Sequence, residues 1–455
     1  MQTTLPIEAP AREANLSWFA TLVLGLQHVL VMYAGNLAVP LIVSAALRLP
    51  PDQTAFLINA GLFAAGIVTI IQSLGVWKFG VRLPVMMGAS FLTVAPMIAM
   101  GLDPSIGLRG FYGALLVSGI LGILVAPIMG KVLRLFPPVV CGSLITLLGI
   151  SLLSVAIDWV GGGQQTIARV VDNTTYAVAN PHYGSPGGLA IAVFVLLVIL
   201  LFNRYTTGIW NRLAVILGLL AGTILSIPLG KVHVQGWSDA PWIALISPLH
   251  FGRPTFHLSA IVTMGIVTLI TFVESTAAFI ALSEITTGKR LAGEDLTAGL
   301  RADGLGIFVG GAFCAFPFTS FSQNVGLVTL TGVRSRYVCV AGGAILVVLG
   351  VLPRLAHVVA AIPVEVLGGA AIVMFGSVAA AGIKVLGSVD FDRSPHNLLV
   401  VALSIGCGLI PTLAPNFFQH LPAWSNPITQ SGVVLGTIVA VLLNLLFRNA
   451  SERAY

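Results

Sequence analysis

Four places in this chain put polar or acidic side chains among almost wholly apolar neighbours. Glu274 lies within HLSAIVTMGIVTLITFVESTAAFIALSEI, 17 residues after His257, and Asp303 lies within ADGLGIFVGGAFCAF. Gln323 and Asn324 sit in FPFTSFSQNVGLVTLTG, and Gln27, His28 and Asn36 sit in GLQHVLVMYAGNLAVP. A carboxylate accepts hydrogen bonds, an amide both donates and accepts, and an imidazole can do either. A charged group in the middle of an apolar span costs at least about 2.5–3.5 kcal/mol on insertion scales, so such residues mark substrate or proton sites. The competing readings are plainer. Either acid can be half of a packing pair, Gln323-Asn324 can be interhelical glue, and His28 can be a satisfied core histidine. Glu284 and Glu365 fall near the ends of apolar stretches and read as interfacial.

The surroundings of these residues require a membrane. Of the 455 residues, 57% are hydrophobic and only 8% are charged, against about 25% charged in an ordinary soluble domain. Mean hydropathy is +0.99. A bilayer is crossed by about 20 apolar residues, and runs of that length recur along nearly the whole chain. A soluble enzyme, a secreted disulfide scaffold and a disordered chain are excluded. The net charge of +6 does not imply nucleic acid, because the 22 Lys and Arg are scattered and form no basic stripe. The four cysteines, Cys141, Cys314, Cys339 and Cys407, form no CxxC pair and read as small buried hydrophobes. The N-terminal stretch has no signal-peptide pattern, so the first membrane segment is expected to be the targeting signal, with nothing removed.

The pattern predicts an all-α polytopic membrane protein of fourteen segments, at approximately 17–44, 54–76, 83–101, 110–130, 137–157, 187–203, 211–229, 256–285, 297–312, 316–333, 337–353, 361–383, 395–413 and 428–447. Lys and Arg favour the cytoplasmic side. With the N-terminus inside, 16 fall in the N-tail, even-numbered loops and C-tail: Arg12, Lys78, Arg82, Lys131, Arg134, Arg204, Arg212, Lys289, Arg290, Arg301, Arg334, Arg336, Lys384, Arg393, Arg448 and Arg453. Six fall in the odd-numbered loops: Arg48, Arg109, Arg169, Lys231, Arg253 and Arg354. Both termini are therefore expected in the cytoplasm. The long loops, about 158–186 and 230–255, are expected as irregular periplasmic caps. The halves also echo each other. Pro84-x5-Ser90-Phe91 aligns with Pro317-x5-Gln323-Asn324, and Pro137 to Gly142 with Pro363 to Gly368. These partners are seven segments apart, so the halves enter the membrane in opposite directions, the inverted-repeat plan of many secondary transporters.

Segments three and ten read poorly as simple helices. Phe316 to Gln323 mixes aromatic, Pro, Thr and Ser residues in a pattern that suits an extended strand, with a helix able to begin near Asn324. LPVMMGAS followed by FLTVAPMIAM has the same layout. Unpaired backbone cannot face lipid, so two short strands are expected to pair in the interior. The half-helices after them would aim positive N-termini at one pocket. A ligand there would meet backbone N–H groups, Gln323, Asn324, Ser90 and the ring of Phe91.

The stretch Gln323-Asn324-Val325-Gly326, followed by Thr331-Gly332, resembles the Q-N-x-G-x4-T motif of the nucleobase–ascorbate transporters, also called nucleobase:cation symporter-2. The resemblance covers nearly the whole chain and includes Gln27-His28, Glu274, Asp303-Gly304, SRYV and IPVEVLGGA. It implies fourteen segments in two inverted repeats of seven. A core domain would be built from 17–136 and 256–354 and a gate domain from 137–255 and 355–447, with cytoplasmic tails at 1–16 and 448–455. The gate domain would mediate a homodimer. Carried over by position, Glu274 and Gln323 would hydrogen-bond a base, Phe91 would stack on it, and backbone near Ser90 and Ser322 would complete the pocket. Asn324, with Gly326 and Thr331, would set the motif's geometry. Asp303 would support proton coupling, and His28 beside Gln27 would tune the pocket.

The chemistry fits independently. A purine dione offers neighbouring N–H donors and carbonyl acceptors to a carboxylate and an amide. An isolated buried carboxylate can load a proton together with substrate. The chain has no GxxxxGK[ST] motif, so an ion gradient rather than a nucleotide or cofactor is expected to supply the energy, and the resemblance implies that the ion is the proton. Gln323 stands where the uracil branch usually has Glu. Ser90, and Ala278 four positions after Glu274, depart from xanthine-selective relatives. The expectation is thus proton-coupled uptake of uric acid and xanthine across a bacterial inner membrane by an elevator motion. The alternatives are a uracil or other nucleobase permease, an anion exchanger of the same fold, and an intramembrane enzyme, though no HExxH or GxSxG is present.

Overall fold

An apolar run that cannot bond its backbone to water has one local solution, a helix that bonds to itself. In the computed structural model the described residues are 16–451 other than 164, 172, 173, 182, 233, 235, 236, 290, 292 and 393. Most of the expected tails, 1–16 and 448–455, lies outside them, as do Arg12, Arg290, Arg393 and Arg453 of the charge pattern. Eight described helices are long and apolar enough to cross a membrane: Trp18–Leu47, Pro51–Leu74, Gly107–Val132, Pro138–Val160, Pro186–Tyr205, Leu258–Thr287, Val364–Leu386 and His396–Leu413. A ninth span results if Arg336–Gly350 and Pro353–Ala360 count as one. Shorter apolar helices occupy Phe91–Leu102, Ala214–Ser226 and Gly432–Phe447. Proline at the first turn starts several of these helices, at Pro51, Pro138 and Pro186, where its missing N–H is not needed.

Large apolar side chains face outward on these helices. Val193, Leu197, Leu200 and Leu201 are exposed along Pro186–Tyr205, and Arg204 comes only in its last turn. Water would penalise such a surface, whereas lipid does not.

Two features differ from the sequence-based expectation. The stretch expected to be an irregular cap contains a hairpin. Among the described residues four strands occur in chain order: β1 Met87–Ala89, β2 Thr166–Val171, β3 Thr174–Ala179 and β4 Phe318–Ser320. β2 and β3 pair antiparallel, with Thr166 opposite Ala179, as their Thr, Ile, Val and Tyr residues favour. Chain beyond segment eleven, expected as loop, forms the short helix Pro353–Ala360, bent by 83° from its predecessor. Pro353 starts it, and Ala356, His357 and Val359 turn inward.

Helices approach closely where a side chain is missing. Pro138–Val160 packs along Val364–Leu386, and Pro51–Leu74 along Arg336–Gly350. A Cβ on Gly149 would lie 2.3 Å from the backbone nitrogen of Ala379, so only glycine allows that contact. Gly149→Leu is expected to separate these helices at a cost of roughly 1–3 kcal/mol or more, lowering the melting temperature of detergent-solubilised protein. Gly406→Leu, where an added Cβ meets nothing within 4 Å, should leave it unchanged. Equal melting of the two variants would contradict this packing.

Candidate functional site

The candidate site forms where two helical runs give way to strands. β1 and β4 pair antiparallel, with Met87 opposite Ser320, Gly88 opposite Thr319 and Ala89 opposite Phe318. The ladder extends by Ser90 N–H donating to Pro317 O (2.9 Å) and Phe321 N–H donating to Met86 O (3.0 Å). Gly88 is required because a Cβ there would lie 2.3 Å from the Phe321 ring. The outer edges of this small sheet are closed by side chains from neighbouring helices. Asn36 Oδ1 accepts the Ala89 N–H (2.7 Å), and Thr69 Oγ1 accepts the Met87 N–H (2.9 Å). Ser73 donates to Val85 O (2.9 Å), and Ser275 Oγ accepts the Ser320 N–H (3.3 Å). Of these four, only Asn36 was noted from the sequence. The others look like ordinary helix residues until the strands are seen.

After each strand a short helix begins. Residues Phe91–Thr93 make one 3-10 turn leading into Val94–Leu102, and β4 leads into Ser322–Thr331. The second helix starts two residues before the expected Asn324. Ser90 is fully buried. Its Oγ accepts the Leu92 N–H (3.3 Å), and its carbonyl accepts the Thr93 hydroxyl (2.7 Å).

The two acids are brought to this centre from different helices. Thr319, in the middle of β4, donates to Glu274 Oε2 (3.3 Å). Asp303 is wholly buried, and its Oδ1 accepts from Gln72 Nε2 (2.7 Å). The same amide donates to Gly299 O (3.0 Å), while Gln72 Oε1 accepts the Val81 N–H (2.9 Å). Gln72 therefore ties Asp303 to the chain leading into β1. Sequence reasoning missed it, although a lone amide in GIVTIIQSL carried the same signal as Gln323.

Asn324 and His28 form a second pair. Asn324 Nδ2 donates to the His28 carbonyl (2.9 Å) and lies 3.1 Å from its Nδ1. That geometry assigns Nδ1 as acceptor and thus the neutral Nε2–H tautomer. Gln27 is half-buried beside it. Thr331 is used locally at the helix end, donating to Leu327 O (2.9 Å) and accepting the Val333 N–H (3.3 Å). The side chains of Ser322 and Gln323, and Gly326, lie outside the described residues. Glu365, read as interfacial, lies in the first turn of Val364–Leu386, where it is buried and ion-paired with Lys231. Among the described residues, no group of three His, Cys, Asp or Glu comes together to hold a metal.

Phe91 borders two cavities and meets Phe375 edge-on at 5.6 Å. One cavity, of about 770 Å³, is lined by Val94, Ile98, Ser151, Gln430 and Val433. The other, of about 320 Å³, is lined by Val31, Gly35, Phe321 and Met374. Glu274 borders neither. Asp103 lies at the mouth of the larger cavity. Partial burial pulls its pKa up, but hydrogen bonds from the Ser105 hydroxyl and N–H and from Asn426, with the charge of His257, outweigh this and hold it below the ordinary value.

Solved structures share this architecture. The transmembrane domain of a cyanobacterium bicarbonate transporter, BicA, covers 95% of this chain and 100% of its own at a TM-score of 0.55 and 16% identity. SLC26A9 covers 94% of this chain and 65% of its own at a TM-score of 0.62 and 13% identity. At such identities the likeness is one of fold alone, that of a mostly helical polytopic membrane protein.

The sequence comparisons go further. A model described as a permease family (Xan_ur_permease) matches residues 19–417. The uric acid transporter UacT of Escherichia coli (strain K12) is 45% identical over 434 residues, 95% of this chain and 87% of that protein. The xanthine permease of Bacillus subtilis (strain 168) is 42% identical over 435 residues, 95% of this chain and 94% of that protein. The uric acid permease PucK of the same strain is 41% identical over 430 residues, 94% and 95% of the two chains. The chain belongs to this permease family, the nucleobase:cation symporter-2 family, and the resemblance carried by Gln323-Asn324-Val325-Gly326 is borne out.

Gln72 provides a test of the buried network. Gln72→Leu leaves Asp303 Oδ1, Gly299 O and Val81 N–H without this partner, at about 1–3 kcal/mol for each buried group. The variant is expected to melt several degrees lower in detergent and to lose uptake. Unchanged stability and uptake would show that the amide does not hold Asp303.

Proposed function

We propose that this chain is a proton-coupled uptake symporter for oxidised purines, uric acid and xanthine. The observation that carries the reading is the convergence on one pair of strands of Phe91, Glu274 bonded through Thr319, and the Gln323-Asn324 turn, in a chain of this permease family. The base would stack on Phe91 and bond to Glu274 and Gln323. Backbone at Ser90 and Ser322 would bound it, while Asn324 and His28 would hold the motif's shape. Asp303 would take part in proton coupling. That three relatives of 40–45% identity are named for uric acid supports transport of that substrate alongside xanthine.

The mechanism follows the inverted-repeat reading. The antiparallel run of β1 against β4 supports opposite orientation of the two halves. Segments 1–4 and 8–11 would form a core that carries substrate. Segments 5–7 and 12–14 would form a gate that also makes a homodimer, and the core would move against it as an elevator. Phe91 between two cavities and against Phe375 would sit at the boundary of the moving part. The fourteen crossings would place both termini in the cytoplasm of a bacterium, with the protein in the inner membrane.

Radiolabelled uptake in a permease-deficient bacterium tests this. Uric acid and xanthine are expected to accumulate and uracil not. A protonophore should collapse the accumulation, whereas dependence on sodium alone would name another ion. Glu274→Gln removes a charge-assisted partner worth about 1.5–3 kcal/mol, a loss of roughly 10- to 100-fold in apparent affinity, and should abolish accumulation with membrane insertion intact. Normal accumulation by that variant would remove Glu274 from the site.

A further inference from the structure

Three basic side chains gather without an acid at the end of Pro51–Leu74 that leads to β1. The chain there makes the turn Val76–Phe79, closed by Val76 N–H donating to Phe79 O (2.8 Å) and Phe79 N–H donating to Val76 O (2.9 Å). Trp77 sits at its tip in the left-handed region (φ +53) and is 77% exposed. Lys78 lies over the Trp77 ring at 5.4 Å. Arg82 folds back over Gly75, where an added Cβ would lie 2.5 Å from the Arg82 Nε. From the other half of the chain, Arg336 Nη1 donates to Leu74 O at 3.5 Å, and the guanidinium lies 5.4 Å from the Tyr337 ring. Leu74 and Gly75 are adjacent, so the two arginines share one corner of the molecule.

The plainer reading is that Arg336 caps a helix C-terminus, where cations are favoured. That uses one of its five N–H donors, and only at the limit of hydrogen-bonding distance. Its Nε is screened from solvent and has no hydrogen-bond partner. Among the described residues the ion pairs join Lys231 to Glu365 and His357 to Asp52, so no carboxylate serves Lys78, Arg82 or Arg336. Glu294 and Asp295 stand in the first turn of Gly293–Ala312, whose Ala298 carbonyl accepts the Gly80 N–H (2.8 Å). Neither forms an ion pair with these cations. A screened, unpaired donor on a cation calls for an anion, and the guanidinium fork matches two oxygens of a phosphate.

The neighbouring surface says which anion. Tyr337, Ala344 and Val348 are all exposed and recur at i, i+7 and i+11 on Arg336–Gly350. They form one apolar stripe along that helix, of the kind lipid covers, and Tyr337 ends it beside Arg336. Trp and Tyr with basic neighbours mark the headgroup layer of a membrane. We propose that Lys78, Arg82 and Arg336 bind the phosphate of an anionic phospholipid headgroup, with Trp77 and Tyr337 as its aromatic borders. Gly75 and Arg82 belong to the chain entering β1, and Arg336 opens the helix that follows Ser322–Thr331. One headgroup therefore ties the approach to the first strand to the exit from the helix after the fourth. The site uses none of the residues of the strand-pair site and does not depend on which substrate is carried.

The full chain, purified in a neutral detergent, is titrated with phosphatidylglycerol, phosphatidylcholine or inorganic phosphate while its melting temperature is followed. Phosphatidylglycerol should raise the wild-type melting temperature to a plateau, as a ligand of the folded state does, and phosphatidylcholine should not. A basic residue near an anionic lipid surface contributes about fivefold in affinity. Lys78→Gln combined with Arg82→Gln should thus raise the half-saturating concentration about 25-fold, with the lipid-free melting temperature within about 2 °C of wild type. Arg336→Lys keeps the charge without the fork and should weaken binding about fivefold. Lys384→Gln, at an exposed residue in the last turn of Val364–Leu386, should change nothing. No rise with phosphatidylglycerol, wild-type half-saturation in the double variant, or an equal weakening by Lys384→Gln would overturn the site. A plateau reached with inorganic phosphate, with no further rise from phosphatidylglycerol, would overturn the lipid as its occupant. Should Arg336→Lys fail to fold, the double variant decides alone.

Discussion

Two strands of three residues cannot stabilise themselves. A pair this short leaves its outer backbone groups open, and in an apolar interior every open group costs free energy. The centre of this protein therefore depends on side chains reaching in from surrounding helices. Asn36, Thr69, Ser73 and Ser275 bond Ala89, Met87, Val85 and Ser320. Each of those bonds also fixes a helix against the strands. The break in regular structure frees backbone groups for side-chain partners, and it locks the helices that carry the two acids.

The same constraint explains the company that Glu274 and Asp303 keep. A buried carboxylate left without partners would be excluded from such a site. Here Gln72 holds one acid from the helix Pro51–Leu74, and Thr319 holds the other from β4. Because Gln72 also binds Val81 and Gly299, a change at Asp303 is felt directly at the chain entering β1. Chemistry at the acids and position of the strands are thus linked by a few short hydrogen bonds.

Much of this was legible in the sequence. Composition demanded a membrane, and isolated polar residues in apolar runs pointed to Glu274, Asp303, His28 and Asn324. Pro84 and Pro317 marked where helix would fail, and the strands lie just after both. Less legible were residues whose meaning depends on a distant neighbour. Thr69, Ser275 and Thr319 have no local pattern that separates them from ordinary helix or strand residues. Glu365 looked interfacial because it sits near a segment end, and only the fold brings Lys231 to it. The hairpin of β2 and β3 was hidden because the long loop around it is rich in Gly and Pro.

The most direct measurement is a cryo-electron microscopy map of the protein with uric acid bound. Density for the base against the ring of Phe91, with its N–H groups within hydrogen-bonding distance of Glu274, is the expected result. A base held elsewhere, with Glu274 still bonded to Thr319 alone, would contradict the assignment of this strand pair as the transport site.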